Sequence, residues 1–248
     1  MLVLLPPSET KRDGGVAGSR LDLSLLRFPE VTEQRAATIA ALSRLSRDPS
    51  AAAAALGLGP TQGIEIERNR AVESSPVMAA IDRYTGVLYD GIAAHTLGEA
   101  ERAWIAEHVL VNSALFGLVG AGDPVPAYRL SHDSRLPGLP LKKHWRTALG
   151  GVLAARTGLL LDLRSEAYAA LGPLPARDGA FYLRVVTETP TGQKKAMNHF
   201  NKKGKGVFVR RLAASGIDHA DVASLIDWAS ASGIRLEHGA PGELELTV

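Results

Sequence analysis

The chain has 248 residues, 46% of them hydrophobic and 22% charged, with 28 Lys plus Arg against 26 Asp plus Glu. Such proportions read as an ordinary soluble globular protein, and a net charge of +2 leaves nucleic-acid binding to local patches. No cysteine is present, which excludes disulfides and any disulfide-linked partner, thiol catalysis, iron–sulfur ligation and thiolate zinc sites.

The opening Met1-Leu2-Val3-Leu4-Leu5-Pro6-Pro7 has no basic flank and is too short for a signal peptide or a membrane span. A cytoplasmic protein without a membrane partner is expected. Leu2 to Leu5 is an unbroken apolar run stopped by prolines, the pattern of a strand covered on both faces. Polar residues follow at once: Ser8, Glu9 and Lys11. In open α/β sheets ligands sit just beyond the carboxyl ends of strands, so these are candidate catalytic groups. A capped turn leading into Asp13-Gly14-Gly15 accounts for them equally well.

Residues 31–47 place Ile39, Leu42 and Leu45 on one helical face, and 49–56 form an alanine-rich helix closed by Gly57. Proline suits a first helical turn, so a helix is expected to start at Pro76. Beyond it Tyr84, Tyr89, Gly86 and Gly91 predict close packing or a bend near Tyr89, with the tyrosines in the core. An exposed helix over 98–107 leads into a second buried strand over 108–113, which adds Ser113 to the candidate catalytic groups.

The proline-punctuated segment 123–131 holds Tyr128-Arg129, able to bind an anion or, through the arginine, to satisfy loop carbonyls. A helix over 140–156 carries Lys142, Lys143 and Arg146 inside a segment, 134–161, that has no acidic residue. Residues 159–163 read as a third strand, Ser165 as the N-cap of a short helix, and 180–188 as a fourth strand. Asp218 is expected to cap a helix with Val222, Leu225, Ile226 and Ala229 on its apolar face, and 234–237 and 243–248 to close the sheet.

The most uneven charge lies between the fourth strand and that last helix. From 189 to 217 there is no Asp or Glu, while Lys194, Lys195, Lys202, Lys203, Lys205, Arg210 and Arg211 all fall inside. Gly204 and Gly206 sit within the lysine cluster and suggest a helix-hairpin-helix-like element over about 193–216: a helix over 193–201, a turn at 204–206, and a second helix from Val207. Main-chain N–H groups at such a turn, with cations on either side, would seat a phosphate. Lys205 stands where such a hairpin has an apolar residue, and Arg210 where it has a small one. A solvated basic face is the competing reading.

Strand and helix patterns alternate with no linker and no repeat. The expected fold class is α/β, a single mixed domain over 1–248 with a central sheet flanked by helices. No nucleophile elbow, Walker loop or dinucleotide fingerprint appears in its required context, and the seven histidines lack metal-ligand spacing, so neither a metal nor a cofactor is expected.

Several blocks resemble, in order, the YaaA family of peroxide-stress proteins. They are Leu5-Pro6-Pro7-Ser8-Glu9-Thr10-Lys11, Arg83-Tyr84-Thr85-Gly86 with Tyr89 and Gly91, and Asn112-Ser113 with Gly117. Pro126-Ala127-Tyr128-Arg129-Leu130, Leu163-Arg164-Ser165-Glu166 with Tyr168, and Lys202-Lys203-Gly204-Lys205-Gly206 follow. The resemblance implies a cytosolic protein of the hydrogen peroxide response, linked to lower free intracellular iron and to less damage to DNA and protein. It also implies an α/β fold with a positively charged cleft and a helix-hairpin-helix-like element that binds DNA.

Two functions are therefore expected. One is a DNA-binding stress protein that holds the phosphate backbone with little sequence preference. Its candidate contacts are Lys194, Lys195, Lys202, Lys203, Gly204, Lys205, Gly206, Arg210, Arg211, Arg129, Lys142 and Lys143. The other is an enzyme acting on a nucleotide or nucleic acid, with Ser8, Lys11 and Ser113 near a bound phosphate and Glu9 as acid or base.

Overall fold

A computed structural model of the chain describes residues 1–188, 194–196 and 198–248, those from 188 to 200 as backbone only. Its apolar runs become strands of one sheet. β1 (Leu2–Leu5) lies between β3 (Val109–Ser113) and β6 (Leu160–Asp162), parallel to both. Every residue of β3 and β6 is buried, which is why these segments are continuously apolar rather than alternating. Beyond β3 the sheet ends in the antiparallel β4 (Gly117–Gly120). Beyond β6 come the parallel strands β7 (Ala180–Glu188) and β10 (Glu243–Thr247), and then the antiparallel β9 (Arg235–His238). The far end of β7 also pairs with β8 (Lys194–Ala196). A separate two-stranded pair joins β2 (Met78–Ala79) to β5 (Pro124–Val125).

The order β4-β3-β1-β6-β7-β10-β9 has a functional consequence. From β1 the chain crosses to β3 on one side, then returns past β1 to β6 on the other. Strand order thus reverses at β1, and in open α/β sheets it is beyond the carboxyl ends of the strands at such a reversal that ligands sit.

Helices α1 (Thr32–Leu45), α2 (Pro49–Leu56) and α3 (Gly63–Arg70) precede two short helices, α4 (Ala80–Arg83) and α5 (Val87–Ile92). Then come α6 (Glu99–His108), α7 (Leu141–Ala154), α8 (Glu166–Ala169), α9 (Asn198–Ser215) and α10 (Val222–Ala231). Among the described residues no helix is long and apolar enough to cross a membrane. Buried arginines tie the connections down. Arg83 donates to the carbonyls of Val125, Arg12, Gly14 and Pro76, and Arg35 to those of Phe116, Phe28, Arg27 and Leu118. A guanidinium has five N–H donors, so one side chain can satisfy several loop carbonyls at once.

Three expectations are corrected. No helix starts at Pro76, because the amide of Val16 and the hydroxyl of Ser19 bond to Val77 and β5 pairs with the next two residues, holding this stretch extended. The last helix is capped by Asp221, whose carboxylate accepts the Ser224 amide at 2.8 Å; Asp218 instead pairs with the N-terminal ammonium. The third concerns the glycines of the basic stretch. Among its described residues no hairpin interrupts it: Gly204, Lys205 and Gly206 lie inside the continuous helix α9.

The glycines serve packing, not a turn. A Cβ on Gly206 would stand 2.0 Å from the Leu88 carbonyl oxygen and 3.0 Å from the Gly91 Cα, so α9 crosses α5 backbone to backbone. Gly91 is the reciprocal half, its absent Cβ facing the Lys203 carbonyl oxygen at 2.9 Å. The close packing expected near Tyr89 is this contact.

Candidate functional site

With α9 unbroken, its mid-helix amides are spent within the helix, and Gly204-Lys205-Gly206 offers no free N–H cradle. The basic side chains around it divide by task. Lys205 is buried over the Tyr182 ring, its Nζ 5.3 Å from the ring centre; burial pushes its amine down to about 8. Arg210 donates to the carbonyls of Ile92 and Ala93 and to Thr96 Oγ1, closing the C-terminal end of α5. Arg211 donates to the Ser232 carbonyl at the end of α10. Cations at helix C-termini stabilise the dipole, so these two arginines have structural work beside any ligand. Lys202 and Lys203 are exposed. The side chains of Lys194 and Lys195 lie outside the described residues.

Lys203 and Arg211 nonetheless border a groove. It has a volume of about 630 Å³ and runs between α9 and the β9–β10 hairpin, with Val207, Phe208, Ile234, Leu246 and Val248 as apolar lining. Arg235 is the third basic residue of its wall, and no acidic residue is among the described residues that line it. Lys142 and Lys143 are exposed in the first turn of α7 and line no part of this groove.

The candidate catalytic groups converge at the other place the topology marks. Ser8 is the exception, its hydroxyl donating to the Thr10 carbonyl and accepting the Thr85 amide at 3.0 Å, so it shapes the turn. Lys11 is 6% exposed; its Nζ donates to the carbonyls of Ser8 (2.8 Å) and Glu9 (3.1 Å) and lies 4.1 Å from the centre of the Tyr128 ring. Burial first, and then the nearby Arg129 charge, bring its amine down to about 7. Near neutrality Lys11 therefore exchanges between ammonium and free amine, able to give or take a proton.

Arg129 is paired to the carboxylate of Glu9 at 2.7 Å. Asn69 holds the Arg129 backbone from both sides, accepting its N–H at 2.7 Å and donating to its carbonyl at 2.9 Å. Ser113, fully buried at the end of β3, contacts the Tyr128 hydroxyl at 2.6 Å, and Tyr128 contacts the Tyr84 hydroxyl at 2.8 Å. Burial raises both phenols, Tyr84 to about 12, so both are protonated at neutral pH.

All five tyrosines of the chain gather at this end of the sheet. Tyr89 donates to the Pro6 carbonyl just after β1, and Tyr182 to the Arg164 carbonyl just after β6. Tyr168 packs edge-on against His132 and lies within electrostatic reach of Tyr84 and Glu9. Beneath them a buried Asp162–Arg164 ion pair at 2.6 Å links β6 to Asn112 of β3. The sequence pointed to Glu9, Lys11, Ser113 and Arg129, but not to the Asn69 clamp or the phenol chain. The spacing of Tyr84 and Tyr128 in the sequence gives no sign that their hydroxyls meet.

A family model described as peroxide stress protein YaaA matches residues 1–236. A UPF0246 protein of Corynebacterium efficiens is 42% identical over 242 residues, covering 96% of this chain and 95% of the relative. One from Corynebacterium glutamicum strain R is 39% identical over 253 residues, covering 100% and 99%. Another, from Streptomyces coelicolor, is 39% identical over 251 residues, covering 98% and 94%.

Proposed function

Since the chain belongs to the YaaA peroxide-stress family, we propose that it serves the response to hydrogen peroxide in the cytoplasm by holding DNA along the groove between α9 and the β9–β10 hairpin. One observation carries this reading: Lys203, Arg211 and Arg235 border an apolar-lined groove whose described wall contains no acidic residue. Cations pay for binding by releasing counterions from the phosphates, while an apolar lining accepts deoxyribose without reading bases. Low sequence preference follows. Protection comes from covering the DNA, and lowered free iron is a downstream outcome rather than storage. Among the described residues no group of three or more His, Asp or Glu side chains is placed to hold a metal ion.

The test is a titration of duplex DNA at several salt concentrations with the wild type and with Lys202→Ala/Lys203→Ala. Both side chains are exposed, so the fold tolerates their loss. The variant should bind more weakly, with a log–log salt slope smaller by about one unit for each lysine that contacts phosphate. An unchanged affinity and slope would reject the groove. Lys142→Ala/Lys143→Ala, measured alongside, reports whether α7 contacts the same polymer.

A further inference from the structure

The hydroxyls at the end of β3 close on one another. Ser113 Oγ accepts the amides of Leu115 and Phe116, each at 3.0 Å. It also contacts the Tyr128 hydroxyl. Tyr128 contacts that of Tyr84 in turn. Tyr84 also hydrogen-bonds to Ser113, so the three hydroxyls satisfy one another.

Two donors nearby lack a full set of oxygen acceptors. Arg129 is 9% exposed, and its Nε is buried with no hydrogen-bond partner. Lys11 Nζ has two carbonyl partners, which leaves the third hydrogen of its ammonium form. A buried donor without an acceptor is destabilising, so two in one neighbourhood favour a group that accepts from both. Among the described residues the acid paired with Arg129 is Glu9, whose side chain is 65% exposed and reaches it with a single oxygen.

We propose that Arg129 Nε and the Lys11 ammonium receive the oxyanion group, phosphate or carboxylate, of a small ligand beyond the carboxyl end of β1, where strand order reverses, and that the Glu9 carboxylate competes for the same arginine. The site is separate from the groove beside α9 and does not rest on DNA binding. An anion beside Lys11 favours its charged form, against burial and the Arg129 and Arg68 charges that lower its affinity for a proton and alongside Glu65 and Glu9, which raise it. Binding above the Lys11 midpoint, which is about 7, therefore takes up a proton and weakens as pH rises.

Calorimetric titration with inorganic phosphate, and separately with acetate, tests this on the full chain. Glu9→Gln removes the competitor from an exposed position and should bind about tenfold more tightly than the wild type. Arg129→Gln should lose binding, and the proton uptake seen by comparing buffers of different ionisation enthalpy should vanish in Lys11→Met. A preference for phosphate over acetate, or the reverse, identifies the group the site takes. The Lys202→Ala/Lys203→Ala variant should keep wild-type affinity for the small anion, which separates failure here from failure of the DNA reading. No heat with either anion at about 10 mM for both wild type and Glu9→Gln, a concentration set by the millimolar end of the affinity scale, would overturn the inference. So would Glu9→Gln binding no more tightly than the wild type.

Discussion

Alanine at Gly206 and alanine at Gly204 should move stability in opposite directions. In a helix interior, glycine to alanine gains about 1 kcal/mol from backbone entropy alone. At Gly206 the added methyl would stand 2.0 Å from the Leu88 carbonyl oxygen and 3.0 Å from the Leu88 carbonyl carbon and the Gly91 Cα. All three are backbone atoms, so relief requires α9 to move off α5. Overpacking of this kind costs roughly 1 to 3 kcal/mol, and the rigid neighbours put this case at the upper end. The net expectation for Gly206→Ala is a loss of about 2 kcal/mol. At Gly204 the nearest atom is Val248 Cγ1 at 2.9 Å, the end of a side chain that is 48% exposed and can turn away. Most of the propensity gain should survive, leaving Gly204→Ala between neutral and about 1 kcal/mol more stable. Urea unfolding followed by circular dichroism, with the two midpoints compared at equal m-value, makes the measurement. A tight turn at 204–206 would demand glycine at both positions, so equal losses, or a Gly206→Ala protein as stable as the wild type, would refute the helix-crossing account.

Two further outcomes follow from buried cations. Lys11 has a folded-state midpoint of about 7 against 10.5 for the free side chain, so the unfolded chain binds the extra proton between those values. Its burial therefore costs stability in full below about pH 7, and the cost is relieved as pH rises towards that of the unfolded lysine; relative to Lys11→Met, wild-type stability should climb between neutral pH and pH 9 by up to about 1.4 kcal/mol per unit. Parallel curves for the two proteins across that range would contradict it. Arg83→Met should cost about 3 kcal/mol or more, because four backbone carbonyls lose their donor together. Urea midpoints and faster proteolytic nicking near Gly14 report the loss.

The strands were the legible part of the fold, since an unbroken apolar run such as Leu2–Leu5 has one stable destination, the middle of a sheet. The run 180–188 gave Ala180–Glu188 to the residue, and residues 49–56 gave Pro49–Leu56. β4 was not read as a strand, because Gly117–Gly120 is short and glycine-bounded and exists through its pairing with β3. The basic stretch misled for a related reason. Two glycines among lysines have the local chemistry of a turn, and what makes them helical is the Leu88–Gly91 surface more than a hundred residues earlier in the chain. Asp218 and Asp221 both suit an N-cap, and the N-terminal ammonium, which no local pattern places there, takes the first and leaves the second to the helix. Glu9, Lys11 and Ser113 were legible because each follows or ends an apolar run, and Arg129 because it stands beside a tyrosine in a proline-punctuated segment. Their mutual arrangement was not, since it depends on Asn69 and on two phenols brought in from separate loops.

The gathering of every tyrosine at one end of the sheet divides the molecule optically. Trp104, Trp145 and Trp228 belong to α6, α7 and α10, so the indoles report on how helices sit on the sheet, while the phenol band reports on the carboxyl ends of β1 and β6. A small molecule arriving among the phenols would change the tyrosine absorption with little effect on indole emission, and loss of helix docking would do the reverse. Occupancy and unfolding can thus be followed by colour in a single unlabelled sample.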